Sequence, residues 1–224
     1  MRLWLKNDLS ENRDLYIGGL IVESQLYRGC MRKVIVRHAP LIKCAVLGGI
    51  IIFIWGLLSW MVLPWHARSF NKFCNECKVA EVIRKNAPCS GMYILPNTYG
   101  YDCCTPPCDI EESRNLMDCG PVMFASIQLC GVNRCSVMPF LTSLFTYIIG
   151  AAIVAWMLLL SRLSYWNAVI FVTLFGVAAA LLGVMPAWIW WGFSGCYTLT
   201  IFFDLIIGWF LAGLLIARIS YRTR

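Results

Sequence analysis

The chain has 224 residues, of which 59% are hydrophobic and only 14% charged, and its mean hydropathy is +0.67. Soluble domains run at roughly 45–50% apolar and about 25% charged, and disordered chains are more polar still, so composition excludes both. The formal net charge of +7 must be located along the chain before it says anything about a partner.

Residues 1–43 form a polar tail with Arg2, Lys6, Arg13, Arg28, Arg32, Lys33, Arg37 and Lys43 set against four acids. Cys44 to Trp65 then carries no charge at all. A helix rises about 1.5 Å per residue, so some 20 residues cross a hydrocarbon core of about 30 Å, and residues 44–65 read as a first transmembrane helix. The run is too long for a signal-peptide core, follows a long polar tail and lacks a small-x-small cleavage site, so it reads as a retained anchor. Residues 66–135 form a cysteine-rich loop. In it, Asn71–Asn86 has Val79, Val82 and Ile83 at helical spacing and stops before Pro88, which predicts an amphipathic helix. Gly91–Pro96 and Val122–Leu129 read as short strands pairing in an antiparallel ribbon. Asn97–Gly120, with Pro106-Pro107, reads as irregular. Residues 136–161, 163–191 and 197–217 supply three more membrane helices, and 218–224 a short tail. The fold expected is an all-α transmembrane bundle of four helices, with a small cysteine-rich α+β extracytoplasmic domain inserted between helices one and two.

Lysine and arginine set the topology. The first tail, Arg162 and the last tail (Arg218, Arg222, Arg224) hold twelve basic residues and four acids, whereas 66–135 holds seven of each. Both termini are therefore expected in the cytoplasm and the loop outside. The basic excess marks topology, to which contact with anionic headgroups can add, and not nucleic-acid binding.

Nine of the twelve cysteines fall in the loop: Cys74, Cys77, Cys89, Cys103, Cys104, Cys108, Cys119, Cys130 and Cys135. Cys196, between helices three and four, falls on the same side, which leaves only Cys30 and Cys44 elsewhere. An even set on an oxidising side reads as a disulfide framework that replaces the core so short a loop lacks. Two rivals stay open: Cys74-x-x-Cys77 as a redox pair, and Cys74, Cys77, Cys103, Cys104 and Cys108 as metal ligands. No helpful histidine accompanies them, since His66 is placed at the membrane interface and His38 in the tail.

Asp204 is the only ionisable side chain well inside a membrane helix, by default a functional candidate in a proton or cation path. With no basic partner expected at its depth, a structural hydrogen bond is the plainer reading. Asp204, Gly208 and Ala212 share a stripe, and Gly176/Ala180, Ala179/Gly183 and Ala45/Gly49 offer further close-packing pairs. Trp65, Trp188, Trp190, Trp191 and Tyr197 read as an interfacial aromatic belt. No catalytic, metal or cofactor motif stands out, and Glu111-Glu112 reads as a solvated pair.

Three segments carry a resemblance: Val62-Leu-Pro-Trp-His66; Val79-Ala80 through Asn86-Ala-Pro88 to Ser90-Gly-Met-Tyr-Ile-Leu-Pro96; and Trp190-Trp-Gly-Phe-Ser194 with Tyr197-Thr-Leu and Asp204 through Gly213. Together, over about residues 44–217, they resemble a family of small, functionally uncharacterised bacterial inner-membrane proteins with four helices and one large periplasmic loop. The resemblance implies a bacterial inner-membrane location and brings no activity with it. The cysteine content and residues 1–40 are additional to that layout, and Met31 offers a second translation start. The expected function is a cell-envelope structural or interaction role through the disulfide-bonded loop, with the lipid bilayer and an envelope protein or a second copy as partners. The alternatives are a small transport subunit using Asp204 and a membrane thiol oxidoreductase using Cys74 and Cys77.

Overall fold

The computed structural model describes residues 38–97, 110–133 and 135–222. The chain is a multi-pass membrane protein: four helical stretches, 39–61, 138–160, 165–191 and 195–222, are long and apolar enough to span a bilayer. They comprise α1 (His38–Met61), α5 (Met138–Leu160), α6 with α7 (Tyr165–Gly183 and Met185–Trp191) and α8 (Gly195–Arg222). Between α1 and α5 lie α2 (Pro64–Arg68), α3 (Glu76–Asn86), β1 (Gly91–Leu95), α4 (Ile110–Cys119) and β2 (Met123–Ile127). This segment marks the loop end of the bundle; the start of α1 and the end of α8 share the other, the tail end.

α8 is central because of its small residues. Gly208, Ala212, Gly213 and Ala217 are all buried, so α1 and α6 come close on either side, while α5 packs on the far face of α1. A Cβ on Gly49 would sit 2.7 Å from the backbone nitrogen of Ile148, and one on Gly176 would sit 2.6 Å from Cβ of Trp209. The expected pairs Ala45/Gly49 and Gly176/Ala180 thus lie in helix contacts. Gly183 faces open space, so Ala179/Gly183 is not one of them. The core is Cys44, Ala151, Val154, Leu158, Val172 and Ile216, all fully buried. Large apolar side chains such as Leu182 (80% exposed) and Trp166 (65%) cover the outside, as a lipid-facing surface requires.

The breaks have local causes. Val62 and Leu63 both donate their N–H to Leu58 O, Leu63 is extended, and Pro64 takes the first turn of α2. A residue before proline avoids the α region, whereas proline suits a helix start, so α1 ends and α2 begins at Leu63-Pro64. α6 and α7 are separated only by Val184, which stays in the helical region, and Pro186 takes the first turn of α7. Gly192 (φ 66°) and Gly120 (φ 70°) adopt the left-handed conformation that closes α7 and α4.

The ribbon forms as expected: β1 and β2 are antiparallel, with Gly91 opposite Ile127 and Leu95 opposite Met123. Tyr93 Oη–H donates to Cys89 O at 2.6 Å, and Leu129 N–H donates to Ser90 Oγ at 3.0 Å. The amphipathic helix is shorter than expected, starting at Glu76 because the Asn75 side chain accepts from Lys78 N–H. Residues 97–120 are not wholly irregular. They include α4. The last helix continues to Arg222, through most of the expected tail.

Candidate functional site

Asp204 lies nine residues into α8, about 14 Å along its axis. It is not alone, which corrects the expectation that no basic group lies at its depth. α2 turns back against α8 and carries His66 into the bundle, where the ring is 2% exposed and Nε2 lies 3.6 Å from Asp204 Oδ2. That distance is a charge contact rather than a good hydrogen bond. The closer partner of Nε2 is Ser59 Oγ on α1, at 2.8 Å.

Three indoles enclose this polar group. Trp60 stacks on the His66 ring with centroids 3.9 Å apart and planes 13° from parallel. Trp65 meets the ring edge-on and donates Nε1–H to Ser59 Oγ at 3.0 Å. Trp65 therefore belongs to this cluster and not to a lipid-facing belt. Trp55 donates Nε1–H to the backbone carbonyl of Asp204 at 3.0 Å, tying α1 to α8. A stacked indole stabilises a cationic ring, and an indole N–H has no other use than to donate. In this cluster Nδ1 of His66 and Oδ1 of Asp204 are buried and have no hydrogen-bond partner among the described residues. Leaving a buried polar atom unmatched costs about 1–3 kcal/mol, so natural proteins rarely do so without a use for it.

Beside the cluster, between α1 and α5, is a groove of about 240 Å³ walled by Trp60, Tyr147 and Ser143. Tyr147 lies within electrostatic reach of Asp204. Toward the tail end the bundle is closed by Ile52, Ala151, Val154, Ala212 and Ile216, all at most 5% exposed.

The rest of the aromatic belt has two roles. Trp188 and Trp190 are exposed, whereas Trp191 stacks on Phe124 of β2 at 4.4 Å and 16°. Tyr197 receives Phe70 and Phe193 edge-on or tilted, at 5.6 and 5.7 Å. Aromatic contacts thus fasten the loop segment to the bundle rim.

The expected disulfide framework is not formed among the described residues. Cys74, Cys77, Cys89, Cys119, Cys130, Cys135 and Cys196 are exposed free thiols in the structure, Cys44 is a buried one, and Cys103, Cys104 and Cys108 lie outside the described residues. Among the described residues no group of three His, Cys, Asp or Glu side chains is placed to hold a metal ion. The sequence reading missed His66, Ser59, Trp55 and Tyr147 as companions of Asp204. The available signal was Leu63-Pro64, which ends α1 and turns Trp65-His66 back.

Comparisons with protein-family models, with curated proteins and with solved structures returned no significant match.

Proposed function

We propose that this chain is a bacterial inner-membrane protein with both termini in the cytoplasm. Its segment between α1 and α5 works outside as a structural or interaction module of the cell envelope. The observation that carries this reading is the docking of the ribbon on the bundle rim. Phe124 stacks on Trp191, and the ribbon leaves Met92, Leu95 and Val122 exposed. A two-stranded ribbon is marginal by itself in water. Fastened to a membrane helix, it becomes a fixed platform at the bilayer surface. Pairing of the exposed loop thiols, expected on the sequence argument of an even set on an oxidising side, would add the remaining rigidity. The closed apolar half of the bundle gives a through-membrane path no support.

A photoreactive residue placed at Met92 in cells tests the platform, with one at Leu182 as the lipid-facing control. The expected outcome is a discrete protein adduct, a second copy or another envelope protein, from position 92 only. Phe124→Ala, which frees the ribbon from Trp191, should reduce that adduct several-fold while the bundle remains folded. Lipid adducts alone at both positions would refute the interaction role.

A further inference from the structure

The cluster around Asp204 has an arrangement that an envelope platform does not need. Nε2 of His66 faces Ser59 and Asp204, while Nδ1, on the other side of the ring, is buried and unmatched, as is the second oxygen of Asp204. A neutral imidazole beside a carboxylate would leave one net negative charge in an apolar setting, which is costly. One added proton cancels it.

We propose that His66 and Asp204 form a proton-binding site at the loop end of the bundle. The proton enters at His66 Nδ1, and the proton on Nε2 passes to Asp204 Oδ2. The balance is closed. An N–H bond forms at Nδ1, the N–H bond at Nε2 breaks and an O–H bond forms at Oδ2. The site gains one proton and goes from net −1 to neutral. Transfer requires the 3.6 Å contact to close by about 0.7 Å, to ordinary hydrogen-bond length. Ser59 holds the starting state: its oxygen accepts from Trp65 and, at 2.8 Å, from Nε2–H; after the transfer the single lone pair of Nε2 receives the Asp204 Oδ2–H instead. Trp60 supports the intermediate imidazolium from its face.

The surrounding groups limit where the proton can go. α1 contributes Ser59, Trp55 and Trp60, none of which titrates in the physiological range. α2 adds Arg68, which points to solvent, and α5 adds Tyr147. Beyond Asp204 toward the tail end the core is apolar. The site therefore takes up and returns protons at one end and does not conduct them across the bundle. Its consequence is mechanical: α2, which begins the loop segment, is joined to α8 through the protonated pair.

The test is infrared difference spectroscopy of the full chain in lipid nanodiscs, stepped from about pH 3 to 9, a span that covers the ordinary ranges of carboxylate and imidazole. ¹⁵N spectra of the two histidines run alongside. The wild-type protein should show a carboxylic-acid band, sensitive to deuterium, that appears at the same midpoint as the His66 ring change. Asp204→Asn should remove the band, and His66→Gln should keep it but move its midpoint, since the ring no longer passes the proton. Ser59→Ala should alter the tautomer signal of His66 while leaving His38 unchanged. No titrating carboxyl band in the wild type, or one whose midpoint ignores His66→Gln, would overturn the proposal. The wild-type spectra decide even if a variant misfolds.

Discussion

At the scale of single residues, the bundle depends on where side chains are missing. Gly176 lets Trp209 of α8 lie against α6, and Gly49 lets α1 approach the backbone of α5 around Ile148. An alanine methyl at either site has nowhere to go. The obstacle at Gly49 includes backbone, which cannot swing aside like a side chain, and overpacking of this kind costs about 1–3 kcal/mol. Gly183 has nothing within reach, so alanine there should be neutral or, through helix propensity, stabilising by up to about 1 kcal/mol. Thermal unfolding followed by circular dichroism in detergent should therefore show lower midpoints for Gly49→Ala and Gly176→Ala but not for Gly183→Ala. Three equal midpoints would remove the close-packing argument. The sequence marked Gly176/Ala180 and Ala179/Gly183 equally, because both have the spacing of four. Each helix residue turns about 100°, so which stripe meets a neighbour depends on how the helix is rotated, and spacing alone does not contain that. His66 was hidden for a related reason. Its depth follows from the direction α2 takes after Pro64, not from its distance in sequence from α1.

At the scale of elements, long apolar runs were easy to read and short polar ones were not. Four membrane helices follow from length and lack of charge, and the ribbon follows from two apolar runs bounded by Gly and Pro. α4 was missed because Pro106-Pro107 and the surrounding turn formers dominated the segment, although Ile110, Leu116 and Met117 before the stop signal Gly120-Pro121 recur at helical spacing. α3 is a different case, predicted correctly but with its start displaced, since only the cap fixes it. None of its residues is fully buried, and it has no substantial packing partner among the described helices and strands, so its stability is mainly local. Short helices are marginal in water, which makes the cap disproportionately important. Asn75→Ala removes the acceptor for Lys78 N–H, at a cost of about 1 kcal/mol. Glu81→Ala breaks only the exposed 2.7 Å pair with Lys85, which is worth a few tenths of a kcal/mol at roughly this spacing. Hydrogen exchange should quicken across 76–86 in Asn75→Ala and change little in Glu81→Ala. Equal exchange in the two variants would mean that α3 is held by tertiary contacts after all.

At the scale of the whole molecule, charge and cysteine make one joint claim. The bundle places both termini at one end and the loop segment at the other, because four antiparallel spans return the chain to its starting side. Which end faces the cytoplasm rests on the basic residues: the tail end and Arg162 carry the excess, and residues 66–135 are neutral. If that orientation holds, the loop cysteines and Cys196 lie in an oxidising compartment and pair; if it is inverted, they lie in a reducing one and remain thiols. A single experiment reads both. Native membranes are alkylated without reductant, the protein is denatured and alkylated with a second reagent, then reduced and alkylated with a third, and peptides are weighed. With the loop outside, the ten cysteines from Cys74 to Cys135 and Cys196 should take only the third label. Cys44, buried against α8 with its thiol near Ile216 O, should take the second, and Cys30 the first. First-label alkylation throughout the loop would reject the outward orientation and the framework together. Alkylation limited to Cys74 and Cys77 would leave the orientation standing and single out that pair as a thiol site.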